Sequence, residues 1–205
     1  MIVFYTNSYK GKIQYQEFFD ETIKTLQREK SEIISLEIGK YEDLLNSNEL
    51  KLLDQDQIHH TYVRKGIFKS KAVVIDVSVD EFQLGYEASL ALLLNKPVFV
   101  ISANQDYSKR IKHPNFYASQ YSNVQELRHI ISDFLKLVKN KYLSIRFNGF
   151  LSPEQKNFLE WYGDIHHKNV SEVIREFIDE KITEYPDYEV QVTTLGLLKS
   201  HKKDK

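Results

Sequence analysis

Between Lys71 and Ser102 the chain reads KAVVIDVSVDEFQLGYEASLALLLNKPVFVIS, and this stretch restricts the choice of fold more than any other. Ala72 to Val77 is an apolar, β-branched run, the pattern of a strand buried on both faces. Val79 to Gln83 is polar and carries Asp80 and Glu81. Leu84-Gly85-Tyr86-Glu87 then opens a segment rich in Ala and Leu, both strong helix formers. Asn95-Lys96-Pro97 ends that helix, and Val98 to Ile101 is a second buried strand. Ligands of open parallel sheets bind at the carboxyl ends of the strands, where such loops lie. The pattern sets Glu87 there, at the start of a helix, which marks it for chemistry or binding.

The same alternation runs through residues 1–139. Strands are expected at Ile2 to Thr6, Ile33 to Glu37, Ala72 to Val77, Val98 to Ile101 and Phe116 to Ser119. Helices are expected at Tyr15 to Glu29, Tyr41 to Leu53, His60 to Phe68, Gly85 to Leu94 and Val124 to Lys139. Strands alternating with helices imply an α/β domain, a parallel sheet covered on both faces. Five strands predict a doubly wound, flavodoxin-like order. The last helix carries Val124, Leu127, Ile130, Ile131, Phe134, Leu135 and Val138, an apolar stripe of helical period.

Several classes are disfavoured by composition. The 205 residues include no cysteine, so neither disulfides nor thiolate metal sites arise. The net charge of −1 gives no whole-chain argument for nucleic acid. No apolar run approaches the ~20 residues that span a membrane, and the start lacks a signal-peptide pattern. A cytoplasmic protein without a membrane partner is the expectation. His59-His60 and His166-His167 are adjacent pairs, whose side chains on a helix point ~100° apart and rarely share an ion. No metal and no cofactor is expected.

The segment FQLGYEASLALLLNKPVFV resembles the nucleoside 2-deoxyribosyltransferase family, including its nucleotide N-glycosidase branch. That family places Gly-x-Gly-Tyr/Met-Glu at the start of a helix of small residues, followed by Gly-Lys-Pro and a strand. The resemblance implies a nucleophilic Glu at Glu87, and a sugar- or phosphate-contacting residue at Glu81. Gly85, Tyr5, Asn7 and Ser8 would line the substrate. An acid at position 81 repels a 5′-phosphate, which favours a nucleoside-type contact. The chain departs from the family at three places. The strand-one Tyr that holds the nucleophile falls on Val3, with Tyr5 on the same strand face as a substitute. The first Gly of Gly-x-Gly is Gln83. The proton-donating acid is missing, since no Asp or Glu lies between His59 and Ser70. Asp54, Asp56, His59 and His60 can replace it only if that loop is rearranged.

After Lys139-Asn140-Lys141 the pattern changes. Tyr142 to Phe147 alternates, with Leu143, Ile145 and Phe147 on one face and Tyr142, Ser144 and Arg146 on the other. Ser152-Pro-Glu-Gln155 and Asn169-Val-Ser-Glu172 are capping boxes, each opening a helix. This stretch, with NVSEVIREFI at its second helix, resembles a ribbon-helix-helix module over residues 140–187. The resemblance implies a homodimer or higher homo-oligomer, because one strand cannot be buried alone. It also implies possible contact with duplex DNA through Tyr142, Ser144 and Arg146, with Asn169 and Ser171 at a phosphate. Residues 188–205 are expected to be a partly disordered tail.

The expected function is therefore an enzyme cleaving the N-glycosidic bond of a nucleoside, a nucleotide or NAD, by transfer or hydrolysis. Two alternatives stand beside it. One is a non-catalytic nucleotide-sensing DNA-binding regulator, and the other an NAD-cleaving toxin or defence effector. Plainer readings also apply to single residues. Glu87 can be a helix-start acid favoured by the dipole alone, Asp76 a loop cap, and Asn7 and Ser8 turn formers. Lys10-Gly11-Lys12 lacks a phosphate-loop pattern.

Overall fold

The computed structural model describes residues 1–142 and 147–185. The chain forms two compact units, Met1–Ser144 and Ile145–Lys205. Among the described residues, no helix is long and apolar enough to cross a membrane.

The first unit is a five-stranded, all-parallel sheet. Its strands are β1 (Ile2–Asn7), β2 (Glu32–Ile34), β3 (Ala72–Asp76), β4 (Val98–Ser102) and β5 (Phe116–Gln120), in the spatial order β2-β1-β3-β4-β5. Register pairs Val3 with Ala72 and Asn7 with Asp76, so β1 and β3 end side by side. This is the flavodoxin-like order, whose switch point lies between β1 and β3.

Period two along β1 sorts its side chains. Val3 and Tyr5 join Ala72, Val74, Phe99 and Ile101 in one core cluster. Ile23 and Leu26 of α1 (Lys12–Arg28) and Leu127, Ile131 and Leu135 of α5 (Val124–Tyr142) complete it. Phe4 points to the other face, toward α3 (Gln55–Lys69). A Cβ added at Gly66 of α3 would lie 2.6 Å from the Phe4 ring, so that helix sits close because the residue is glycine. Helix α4 (Phe82–Leu93) packs beside α3 over β3 and β4. On the first face, Glu21 of α1 accepts from Arg28 Nη1 at 2.8 Å and from Arg128 Nε of α5 at 2.6 Å.

Several boundaries differ from the sequence expectation, and four of them have a clear local reason. β2 stops at Ile34, because Ser35 turns the chain: Glu37 N–H donates to Ser35 Oγ and Gly39 N–H to Ser35 O. The helix expected over Tyr41 to Leu53 is split. A 3-10 turn (Tyr41–Asp43) precedes α2 (Ser47–Leu52), which Asn46 restarts by capping Asn48 and Glu49 N–H. Helix α3 begins at Gln55 rather than His60, because Asp54 and Gln57 form a capping box. Helix α4 begins at Phe82 rather than Gly85, so Gln83 belongs to its first turn.

In the second unit, α6 (Pro153–His166) and α7 (Val170–Glu184) pack against each other. Both expected capping boxes are present, Ser152 with Gln155 and Asn169 with Glu172. The turn between the helices is tight. His167 adopts the left-handed conformation at φ 53°, and Lys168 N–H returns to Gly163 O at 2.9 Å. A Cβ at Gly163 would lie 2.5 Å from Lys168 O, so only glycine permits this closure. Leu159 and Val173 are buried between the helices, while Phe158, Trp161, Ile165 and Ile178 remain about half exposed.

The strand expected from Tyr142 needs correction at its first residue. Helix α5 continues through Tyr142, since Lys139-Asn140-Lys141 holds neither Gly nor Pro and its lysines suit a helix C-terminus. Residues 143–146, with Ser144 and Arg146, lie outside the described residues, as does the expected tail.

Candidate functional site

Glu87 lies in the second turn of α4, and its carboxyl is wholly buried. Gln83, one turn earlier, donates from Nε2 to Glu87 Oε1 at 3.0 Å. The Thr6 side chain, at the end of β1, faces the Glu87 carboxyl and favours its ionised form. The other oxygen, Oε2, is buried with no hydrogen-bond partner. Burial dominates the electrostatics and pushes the Glu87 pKa up to about 7; Gln83 and Thr6 pull it down, and Glu81 pushes it slightly up. The helix dipole is a poor explanation for this residue, because α4 starts five residues earlier than Glu87.

The residue of β1 that reaches Glu87 is Thr6, not Tyr5. Tyr5 belongs to the opposite face of the sheet, in the core beneath α1 and α5. There its hydroxyl accepts from Asn7 Nδ2 at 3.3 Å. Burial raises the Tyr5 pKa, and Asp76 adds to the effect. A stand-in for a strand-one tyrosine beside Glu87 is thus excluded by strand alternation.

Glu81 ties two loops together. Its Oε1 accepts from Ser8 Oγ at 2.5 Å and from Lys10 N–H at 2.9 Å. Ser8 is fully buried, and its Oγ also accepts from Gly11 N–H at 3.0 Å. The loop after β1 is therefore fastened to the loop after β3 across the switch point. Gly85 is exposed, with open space where a Cβ would stand. Tyr86 beside it places its hydroxyl 2.7 Å from His60 Nε2.

A cavity of ≈ 250 Å³ opens at the carboxyl ends of β1 and β2. Thr6 and Asn7 line it from β1, Ser35 and Glu37 from the turn after β2, and Tyr41, His59 and Tyr62 from beyond. The early end of β2 is what frees Ser35 and Glu37 for this wall. Lys12 enters from α1 and pairs with Glu37 at 2.7 Å. His59 Nδ1 lies 3.1 Å from Tyr41 Oη. On its other side, Nε2 is in close contact with Gln83 Nε2. Desolvation, with His60 second, lowers the His59 pKa.

A second polar group sits at the end of β3. Asp76 is fully buried and accepts from Tyr121 Oη at 2.8 Å and from Ser78 N–H at 2.9 Å. Burial lifts its pKa to about 6 against those hydrogen bonds. Asn104 extends the network, donating to Ser78 O at 2.6 Å and to Tyr15 Oη at 2.8 Å. Both of its carboxyl oxygens have partners, so Asp76 braces the loop after β3.

At the start of α7, Asn169 Oδ1 accepts from Glu172 N–H at 3.0 Å, and Glu172 Oε2 accepts from Asn169 N–H at 2.8 Å. Those two donors are already used, and Ser171 is exposed beside them. Among the described residues, no three His, Asp or Glu side chains cluster as metal ligands would.

Thr6, Gln83, Tyr41 and Glu37 were not singled out from the sequence as partners of the site. Only one signal pointed that way. Asp54-x-x-Gln57 is a capping box, and reading it moves the helix start back so that His59 falls on a helix.

No family model matches the chain, and no curated protein does. Among the solved structures similar to it are the following two. One is the Clostridium botulinum CMP N-glycosidase BcmB, 16% identical, covering 64% of this chain and 98% of that one, with a TM-score of 0.47. The other is a de novo designed Rossmann 2x3 fold protein, 15% identical, covering 66% and 89%, with a TM-score of 0.40. Likenesses this faint name neither a family nor an activity.

Proposed function

We propose that the first unit cleaves an N-glycosidic bond, with Glu87 as nucleophile toward the anomeric carbon. The observation that carries this reading is the Glu87 carboxyl itself: buried, beside the switch point, and with Oε2 unpartnered. Burying a carboxylate without a full set of donors is costly, and such a cost is common where a group is kept for chemistry. With its pKa pushed up to about 7 by burial, the carboxyl titrates near neutral pH. In the proposed reaction the carboxylate attacks C1′ of the sugar. The base leaves with the C–N electron pair, and the glycosyl group passes from Glu87 to water or to a second base.

Substrates of the proposed reaction are nucleosides, nucleotides or NAD. Glu81 uses Oε1 on Ser8 and Lys10, and it is proposed to meet sugar hydroxyls through Oε2. Its negative charge favours a nucleoside over a 5′-monophosphate. Asn7, with Tyr5 where it borders the cavity beside it, would support the sugar side of the crevice, Ser8 would hold Glu81 in place from beneath, and Gly85 would leave the crevice open.

The test is incubation with a panel of nucleosides, nucleotides and NAD, with free base read by chromatography. Base release that disappears in Glu87→Gln supports the reading. Ligand-dependent thermal stabilisation without any release replaces it with the sensor alternative.

For the second unit we propose self-association. An apolar hollow of ≈ 490 Å³ is lined by Ile174, Phe177, Ile178, Lys181, Ile182 and Tyr185 of the α7 end. A pair of helices this short cannot cover such a surface by itself. Duplex DNA is a second proposed partner of this unit. If it binds there, Arg146→Ala lowers the affinity and reduces the salt slope by about one.

A further inference from the structure

Cleaving a bond to a neutral base takes a proton as well as a nucleophile, because the departing nitrogen otherwise leaves as an anion. The sequence offers no acid where one is expected. We propose that His59 is the proton donor to the leaving base, an assignment that rests on the proposed N-glycosidic reaction.

Geometry carries the assignment. Helix α3 begins at Gln55 because of the Asp54 cap, and this puts His59 on a helix bordering the cavity. His59 Nε2 and Glu87 Oε1 both contact the same atom, Gln83 Nε2. Donor and nucleophile are therefore separated by one amide nitrogen. That is on the scale of the ~5–5.5 Å between acid and nucleophile in retaining glycosidases. An amide nitrogen has two hydrogens and no acceptor, so Gln83 donates to both partners. His59 Nε2 then accepts, and its resting proton is on Nδ1, directed at Tyr41 Oη 3.1 Å away. Tyr41 thereby fixes the tautomer, leaving Nε2 as the nitrogen that gains and gives the mobile proton. Burial favours neutral His59, which makes the protonated form a stronger acid.

The steps balance. Imidazolium His59 gives its Nε2 proton to the base nitrogen as the C1′–N bond breaks and Glu87 Oε forms the bond to C1′. Water then attacks C1′. The ester bond to Glu87 breaks, the water oxygen stays on the sugar, and one water proton returns to His59 Nε2. Gln83 occupies the place between the two groups in the free protein, so substrate must displace its amide.

Two kinds of nucleoside test this in the full-length protein. One kind carries a neutral base and needs a proton. The other carries a base that is already cationic, such as a 7-methylated purine or nicotinamide, and needs none. His59→Gln should lower base release from neutral nucleosides by on the order of 10²–10³-fold. Release from cationic-base nucleosides should fall by less than about tenfold, which also shows that the variant is folded. Tyr41→Phe should follow the same pattern with a smaller loss. An equal loss on both kinds makes His59 a positioning residue and overturns the assignment. So does an unchanged rate on neutral nucleosides. If the parent protein cleaves neither kind, the glycosidic reading falls first and takes the donor with it. If Glu87→Gln abolishes both activities while His59→Gln alters neither, the reading stands and only the donor is wrong.

Discussion

The two units break the usual distribution of polar and apolar groups in opposite directions. The first has a large core and buries charged groups within it, among them Asp76 and Glu87, both wholly inaccessible. Among its described residues, the second has little core, chiefly Leu159 and Val173, and exposes apolar groups, with Trp161 58% and Ile178 54% accessible. A domain with a full sheet and helices on both faces can bear the cost of a buried carboxyl. Two short helices have no such reserve, and their apolar surface calls for a partner. The first anomaly points to chemistry and the second to assembly.

The largest expected effect tests the first half of this contrast. Glu87→Gln is nearly isosteric and should leave the fold intact while lowering base release by on the order of 10³-fold or more, measured by chromatography. Full activity in that variant would make the buried carboxyl a structural accident.

The second half is tested at Ile178. A charge there is harmless if the surface faces water, and costly if a second copy covers it. Ile178→Asp is expected to weaken self-association by on the order of 10²-fold, seen by light scattering across a dilution series. An unchanged mass would remove the assembly reading and leave the exposed face unexplained.

A third effect concerns the cost of holding Glu87. Its pKa is about 7 in the folded protein against an ordinary 4.5. Between those values the folded chain holds the proton more tightly than the unfolded chain, so stability falls as pH rises and levels off above 7. Glu87→Gln removes this cost. It should stabilise the protein by up to about 3 kcal/mol at pH 8 and by little at pH 4.5, as measured by denaturant melts. Equal stability of parent and variant at both pH values would mean the carboxyl is not desolvated in solution.

The smallest effect lies on the opposite face of the sheet. Glu21 is held to about 2, chiefly by the Arg128 hydrogen bond, with Arg28 assisting. Here the folded pKa is depressed, so the stabilisation is complete above about 4.5 and disappears as pH falls toward 2. Both arginines are substantially exposed, and solvent screens the pair. Glu21→Gln is expected to cost about 1 kcal/mol at pH 7, and the gap should close in acid.

What the sequence made legible follows the physics of each feature. Buried parallel strands announce themselves as apolar runs, and Ala72 to Asp76 and Val98 to Ser102 lie where those runs predict. The capping boxes at Ser152 and Asn169 are short-range hydrogen bonds between neighbours in the chain, so they too are readable. Residues near the site were less so. Thr6 reaches Glu87 of helix α4 from β1, far away in the sequence, and Gln83 lies between His59 and Glu87 because α3 and α4 pack side by side. No local pattern encodes such encounters. Counting along one strand face puts Tyr5 with Glu87, but the count does not say which face meets α4.

The early end of β2 has an effect beyond the cavity wall. β2 is an outer strand of the sheet, and an outer strand offers unpaired N–H and C=O groups to any passing chain. With only Glu32 to Ile34 in extended form, that border is too short to template a foreign strand. The turn at Ser35 that makes room for a ligand also makes this side of the sheet a poor seed for aggregation. Lengthening β2 would close the hollow and expose a longer sticky edge in one stroke.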